Sequence, residues 1–315
     1  MSTLIWPPLA PDQLAIEQEA CLTRELEWLL SALQETLQSL KAGLEECADL
    51  LAPKEVGSTL VLSTHRSENL KGFVTRVGTR IVKGDVHLRL PSLPPPRGQN
   101  SYKVSVSSAP SAPSLVLEQL TCARTLINAC LDVVDATRWT GDAGNANFIS
   151  GQLKLLHDNV QEANQSLKGG PDVQKPWNED VADEKIFDPA LPPNLSFHFS
   201  ISDAALVLHV RTLETAHGGT GASTPNTSSA SYSGFSLRDR LAHALGGSRA
   251  PLHDEANEVF HYKGQEVRVK EKIRVESQDP SLMAAMAKLG ALEHSVALSR
   301  RALDVVMGRE HEEEE

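Results

Sequence analysis

Aromatic side chains make up only 4% of this sequence, with four Trp, three Tyr and seven Phe. That scarcity argues against a broad stacking surface for sugars or nucleobases. Positive charge is also in deficit: 41 Asp and Glu stand against 30 Lys and Arg, for a net charge of −11. Sequence-wide attraction to nucleic acid or anionic lipid is therefore not expected. Part of the deficit lies in the closing run Glu310–Glu315, read as an acidic tail. Four cysteines (Cys21, Cys47, Cys122, Cys130) form no C-x-x-C pair and all fall on predicted helices. They read as reduced, small apolar residues of a cytosolic protein. No basic-plus-apolar leader and no apolar run of bilayer length is read in the chain, so direct membrane insertion is not expected. The Asn-x-Ser/Thr triplets at Asn164, Asn194 and Asn226 are then chance matches.

What the sequence does have is helical seams. Leu26, Leu30, Leu33, Leu37, Leu40, Leu44, Cys47 and Leu51 alternate in fours and threes, the spacing of one stripe on a long helix from about Pro11. Val116, Leu120, Ala123, Ile127, Cys130 and Val134 predict a second helix, with Ser114 as its N-cap. Ile149, Leu153, Leu156, Val160, Ala163 and Leu167 predict a third from about Asn147 to Lys168, stopped by Gly169-Gly170. Gly151 weakens it by ~1 kcal/mol relative to Ala, which a close helix contact could offset. The fourth opens on Asp279 as N-cap with Pro280 behind it, and carries Leu289, Leu292, Val296, Leu303 and Val306.

Two β sections interrupt these helices. Thr59–Ser63, Gly72–Val77 and Asp85–Leu90 are short strand candidates separated by Gly78 and by Lys83-Gly84, and Tyr102–Val106 is another beyond the proline-rich loop from Pro91. Val173–Lys185 reads as a polar linker. Leu195–Ile201 and Leu206–Val210 alternate apolar and polar residues about a turn at Asp203-Ala204, which predicts a hairpin with one face on a core. His87, His198 and His209 fall on the face that would meet solvent. Val259–Tyr262 and Val267–Val275 flank Lys263-Gly264 and predict another hairpin, while Phe235–Leu245 has the pattern of a short helix.

The order predicts an α+β protein: a discontinuous four-helix bundle plus an antiparallel β domain, elongated. Residues 11–52, 114–170 and 279–309 form the bundle; 53–113 with 186–278 form the β domain. Residues 215–257 read as a flexible polar insertion. The first and last helices should lie side by side; the alternative is that the first pairs with its copy in a second chain. The seam residues Leu26, Leu30, Leu33, Leu37, Leu40, Leu44, Leu289, Leu292, Val296 and Leu303 could serve as bundle core or as a partner surface. Leu22, Leu29 and Leu298, apolar outside the seams, point toward a partner surface.

Catalytic signals are weak. Gly218–Thr224 follows a strand, as phosphate loops do, yet Pro225 and a Ser/Asn/Thr tract stand where a Lys-Ser/Thr and a helix are needed. The eleven histidines show no ligand spacing, so no metal and no cofactor is expected. There is no G-x-S-x-G, and Glu45-Glu46 and the carboxylates at Glu179, Asp180, Asp183 and Glu184 read as solvated.

Several stretches resemble the Rogdi leucine-zipper family, whose fungal members are the small subunit of the RAVE complex. Arg24-Glu25-Leu26-Glu27-Trp28-Leu29-Leu30 is similar to the opening of the family's leucine-rich helix. Lys71-Gly72 and Gly84-Asp85-Val86-His87-Leu88-Arg89-Leu90-Pro91 resemble its first β section. Phe187-Asp188-Pro189-Ala190-Leu191-Pro192, leading into the Leu195–Leu213 hairpin, is the most specific match. The resemblance runs from about Leu14 to Val306 and leaves Thr215–Asn257 unmatched. It implies a non-enzymatic adaptor that promotes reassembly of the vacuolar proton-pumping ATPase. Its implied partners are the large β-propeller-bearing (rabconnectin-like) subunit and the pump's peripheral sector. Its implied place is the cytoplasm, with recruitment to vacuolar or endosomal membranes through partners. A vesicle-traffic adaptor outside that complex, or a phosphate-handling enzyme using Gly218–Thr224, are the alternatives.

Overall fold

The computed structural model describes residues 10–54, 57–65, 67–136, 142–170, 175–216 and 253–309. Helix α1 (Pro11–Leu50) starts with Pro at its first turn, where a missing N–H costs nothing. Four strands follow: β1 (Ser58–Ser63), β2 (Leu70–Val77), β3 (Arg80–Leu88) and β4 (Tyr102–Val106). The two-residue strand β5 (Leu115–Val116) precedes α2 (Glu118–Ala136) and α3 (Ala146–Lys168). Then come β6 (Phe187–Asp188), β7 (Leu195–Ser202), β8 (Ala205–Thr215), β9 (Val259–Tyr262), β10 (Gln265–Gln278) and α4 (Pro280–Val306). The fold is α+β, with four α-helices and two antiparallel sheets among the described residues.

The helices close a ring in which α1 and α3 each lie between α2 and α4. Helices α1 and α4 run side by side and antiparallel, joined by the Glu46–Lys288 ion pair and by Gly43 against Leu292. A Cβ on Gly43 would stand 2.7 Å from Leu292 Cδ2, so the glycine permits this approach. Lys41 and Asp135 tie α1 to α2 at 2.6 Å, and Asn164 donates to Glu293 across α3 and α4 at 2.8 Å. Helix α3 ends on Gly169 in the left-handed region, φ 68°, which a side chain would strain.

The first sheet has the order β1-β2-β3-β4-β6, with β5 also on β3; the second runs β7-β8-β10-β9. Strands β7 and β8 are joined by Asp203-Ala204, both at positive φ, a two-residue turn whose twist suits a hairpin. Apolar residues of all four helices and both sheets form one continuous buried cluster. A smaller one gathers Trp177, Leu213, Tyr262, Val267 and Val269.

Five local expectations change. Leu115–Val116 pair with Ile81 and Arg80, so Ser114 is no N-cap and α2 begins at Glu118; the backbone there completes sheet hydrogen bonds instead. Lys83-Gly84 lies inside β3 opposite Val74–Thr75, and the chain turns at Gly78-Thr79. The expected linker carries buried Trp177, its ring 5.0 Å from Phe260 and 5.6 Å from Tyr262. Gly151 meets nothing within 4 Å, so no helix contact explains it. Both ends of the expected 215–257 insertion belong to the fold: Thr215 ends β8, and Glu255 grips Arg211. Phe235–Leu245 and the Gly218–Thr224 loop lie outside the described residues.

Candidate functional site

Residues able to do chemistry gather on one face of the second sheet. Across β7, β8 and β10 the register places His198, His209 and Arg274 in one row, and Ser196, Arg211 and Lys272 in the next. Strict alternation had aimed His198 and His209 at solvent. The structure overturns that: His198 is 7% exposed and His209 half-buried, because residues from the 175–185 segment and the 253–258 turn reach this face. One sequence cannot show which strand face a distant loop will cover.

The charges there are mutually held. Glu255 accepts from Arg211 Nε and Nη2 at 2.6 and 2.8 Å, and from Lys272 at 2.7 Å. Burial alone raises the Glu255 carboxyl, but those hydrogen bonds outweigh it and hold it below the usual range. Arg211 also lies under the Trp177 ring, 4.7 Å from its centroid. Asp180 Oδ2 stands 3.4 Å from His198 Nε2, and that contact lowers the Asp180 carboxyl. Burial first, then electrostatic interaction with Arg211, His198, Lys272 and Arg274, push His209 down to about 4. A cleft of about 230 Å³ opens beside this face, lined by Val116, Gln119, Cys122, Lys175, Asp180 and His198. Lys175 pairs with Glu118 at 2.6 Å at its rim. These are the bonds of a fastening, in which the 175–185 segment is strapped to the sheet. Among the described residues, no group of three His, Cys, Asp or Glu could hold a metal.

Three of the other expected carboxylates are also partnered: Glu46 by Lys288, Glu184 by Lys263 at 2.6 Å, and Asp183 by the Lys185 backbone N–H. Burial pushes the Cys47 thiol up to about 11 and Cys130 up to about 12. Cys21 and Cys122 are exposed.

The seam residues have a different place. Leu30, Leu33, Leu37, Leu40, Leu44, Leu289, Val296 and Leu303 are buried between the helices, while Leu26 and Leu292 are half-buried against them. Fully burying one such leucine contributes roughly 1.5–3 kcal/mol, so the stripe holds the bundle. Surplus apolar residues remain outside: Leu22 and Leu298 are exposed, and Leu29 is half-buried. Leu14, Ile16 and Trp28 are exposed as well, and sequence reading passed over them. The available signal was that the helix begins near Pro11 while its seam begins only at Leu26. All of Pro11–Glu25 is exposed, so α1 runs roughly 22 Å past the bundle.

A fold of this order, with a leucine-seamed helix first and a second such helix last, can be set beside known families. The sequence pattern of the family described as Rogdi leucine zipper containing protein matches residues 25–304. The chain belongs to that family. The Rogdi match takes in all four helices and both sheets, and it starts at Glu25, inside α1. A relative from Schizosaccharomyces pombe (strain 972), "Regulator of V-ATPase in vacuolar membrane protein 2", is 22% identical over 303 residues. That alignment covers 87% of this Rogdi-family chain and 91% of the relative.

Proposed function

We propose that this chain is a non-catalytic adaptor subunit of a RAVE-type complex that promotes assembly or reassembly of the vacuolar proton-pumping ATPase. The observation that carries the reading is the relative whose name makes it a regulator of that pump, aligned along nearly its whole length. The polar face of the second sheet supports it, because its carboxylates are bound up in ion pairs that fasten the fold. In this reading the partners are the large β-propeller-bearing subunit and the pump's peripheral sector. The chain works in the cytoplasm and reaches vacuolar or endosomal membranes through those partners. No helix among the described residues is long and apolar enough to cross a membrane. We assign 11–52, 114–170 and 279–309 to a helical unit and 53–113 with 186–278 to a β unit, each presenting its own surface.

The test is a pull-down of the purified large subunit and the purified peripheral sector on the full chain, with organelle pH measured in cells lacking it. At least one partner should bind at micromolar concentration, and the mutant cells should acidify poorly while keeping intact pump subunits. Normal acidification, with neither partner retained, would sink the proposal.

A further inference from the structure

The stripe Leu22, Leu26, Leu29, Leu33 continues in fours and threes along α1, and its exposure changes along the way. Leu33 is buried, Leu29 and Leu26 are half-buried, and Leu22 is 52% exposed. One apolar face thus runs out of the bundle onto a helix that nothing among the described residues covers. Where it leaves, Leu29, Leu30, Leu33, Thr36, Ser299 and Leu303 enclose a groove of about 80 Å³, a size that takes a single anchoring side chain. Such a stripe with a terminal anchor hole is the surface an amphipathic helix docks on.

The flanks say what kind of helix. Glu19 and Glu25, three residues to either side of Leu22, border the stripe, and Asp12, Glu17 and Glu27 add to the negative charge of this end against Arg24 alone. A second copy would set acidic flanks against acidic flanks, which is unfavourable at this range. We infer that the overhanging end of α1 docks an amphipathic helix of a partner chain whose leucine-type stripe is flanked by Lys and Arg. This rests on the adaptor reading, because a chain that acts by contact needs a contact surface.

Cys21 reports on the site, since it is exposed on the overhang while Cys47 and Cys130 are buried. In full-length protein carrying Cys122→Ser, the alkylation rate of Cys21 is measured with two synthetic helical peptides. Both share one leucine stripe; one is flanked by Lys and Arg, the other by Glu. The basic peptide should slow alkylation at least fivefold and bind at least tenfold more tightly than the acidic one at low salt. Leu22→Ser with Leu29→Ser should abolish that protection, and Leu298→Ser should leave it intact. Equal capture of both peptides, or of neither, overturns the inference. Cys21–Cys21 crosslinking of a dimer would give the stripe to a second copy. A severalfold faster alkylation after removal of residues 1–9 would give it to the chain's own start. Peptide capture with neither partner retained and normal acidification would sink the adaptor reading alone.

Discussion

Arg76 Nε donates to Asp279 Oδ2 at 2.6 Å, and both side chains are withdrawn from water, at 3% and 0% exposure. The same carboxylate caps α4, accepting the Ser281 backbone N–H at 3.0 Å and the Ser58 hydroxyl at 3.2 Å. One residue therefore starts the last helix and fastens it to β1 and β2. Asp279→Ala should cost about 3–5 kcal/mol, because it strands a buried guanidinium and removes a cap worth about 1 kcal/mol. Denaturant unfolding checks this. The double variant Arg76→Met, Asp279→Ser should recover much of the loss, since it leaves no lone charge and keeps a capping hydroxyl.

Leu37→Asp places a carboxylate where α1 is sealed, its side chain 4% exposed in the wild type. The cost of several kcal/mol compares with the roughly 5–15 kcal/mol that holds a domain together. Loss of helical circular dichroism or of solubility is the expected result. An unchanged melting curve would mean that α1 contributes nothing to the bundle.

Two glycines should respond oppositely to the same change. Gly151→Ala adds a methyl group in open space within α3 and should stabilise by about 0.5–1 kcal/mol. Gly43→Ala gains the same propensity but presses on Leu292, so that gain should vanish or reverse. Thermal unfolding of both variants side by side decides it.

Stability should fall on acidification from about pH 6.5 to 4. His209 binds its proton near 6.5 when unfolded but only near 4 when folded. In that window the unfolded chain binds more protons, and stability rises with pH, by at most about 3 kcal/mol in all. Asp180 and Glu255, both held below their ordinary range, add their contributions above their unfolded values and lose them as pH falls through the folded ones. His209→Leu should flatten the upper part of the curve. A wild-type melting temperature level from pH 6.5 to 4.5 would refute it.

Thiol chemistry should divide the cysteines in two. Cys21 and Cys122 should react promptly with an aromatic disulfide reagent, while Cys47 and Cys130, buried and poor in thiolate, should react only on unfolding. Counting fast and slow thiols in native protein tests this.

Local periodicity determined much of this protein. The leucine spacing of α1, the Asp279-Pro280 start of α4 and the Asp203-Ala204 hairpin are all legible because a side chain's place on a helix or strand follows from its nearest neighbours in sequence. The four-helix bundle followed because four apolar stripes need mutual cover. Tertiary structure alone decided the rest. His198 and His209 went under cover, and Trp177 was drawn from an expected linker onto Arg211, because segments distant in sequence reach that sheet face. Arg76 and Asp279, 203 residues apart, each look like ordinary surface charges until the fold removes water from both. Leu22 lies outside the seam that Leu33 belongs to, but only packing shows where that face leaves the bundle: Leu33 is closed in beside Ser299 and Leu303 of α4, while Leu22 is exposed. Burial belongs to what packs against a residue, and a sequence states that only where the partner is near.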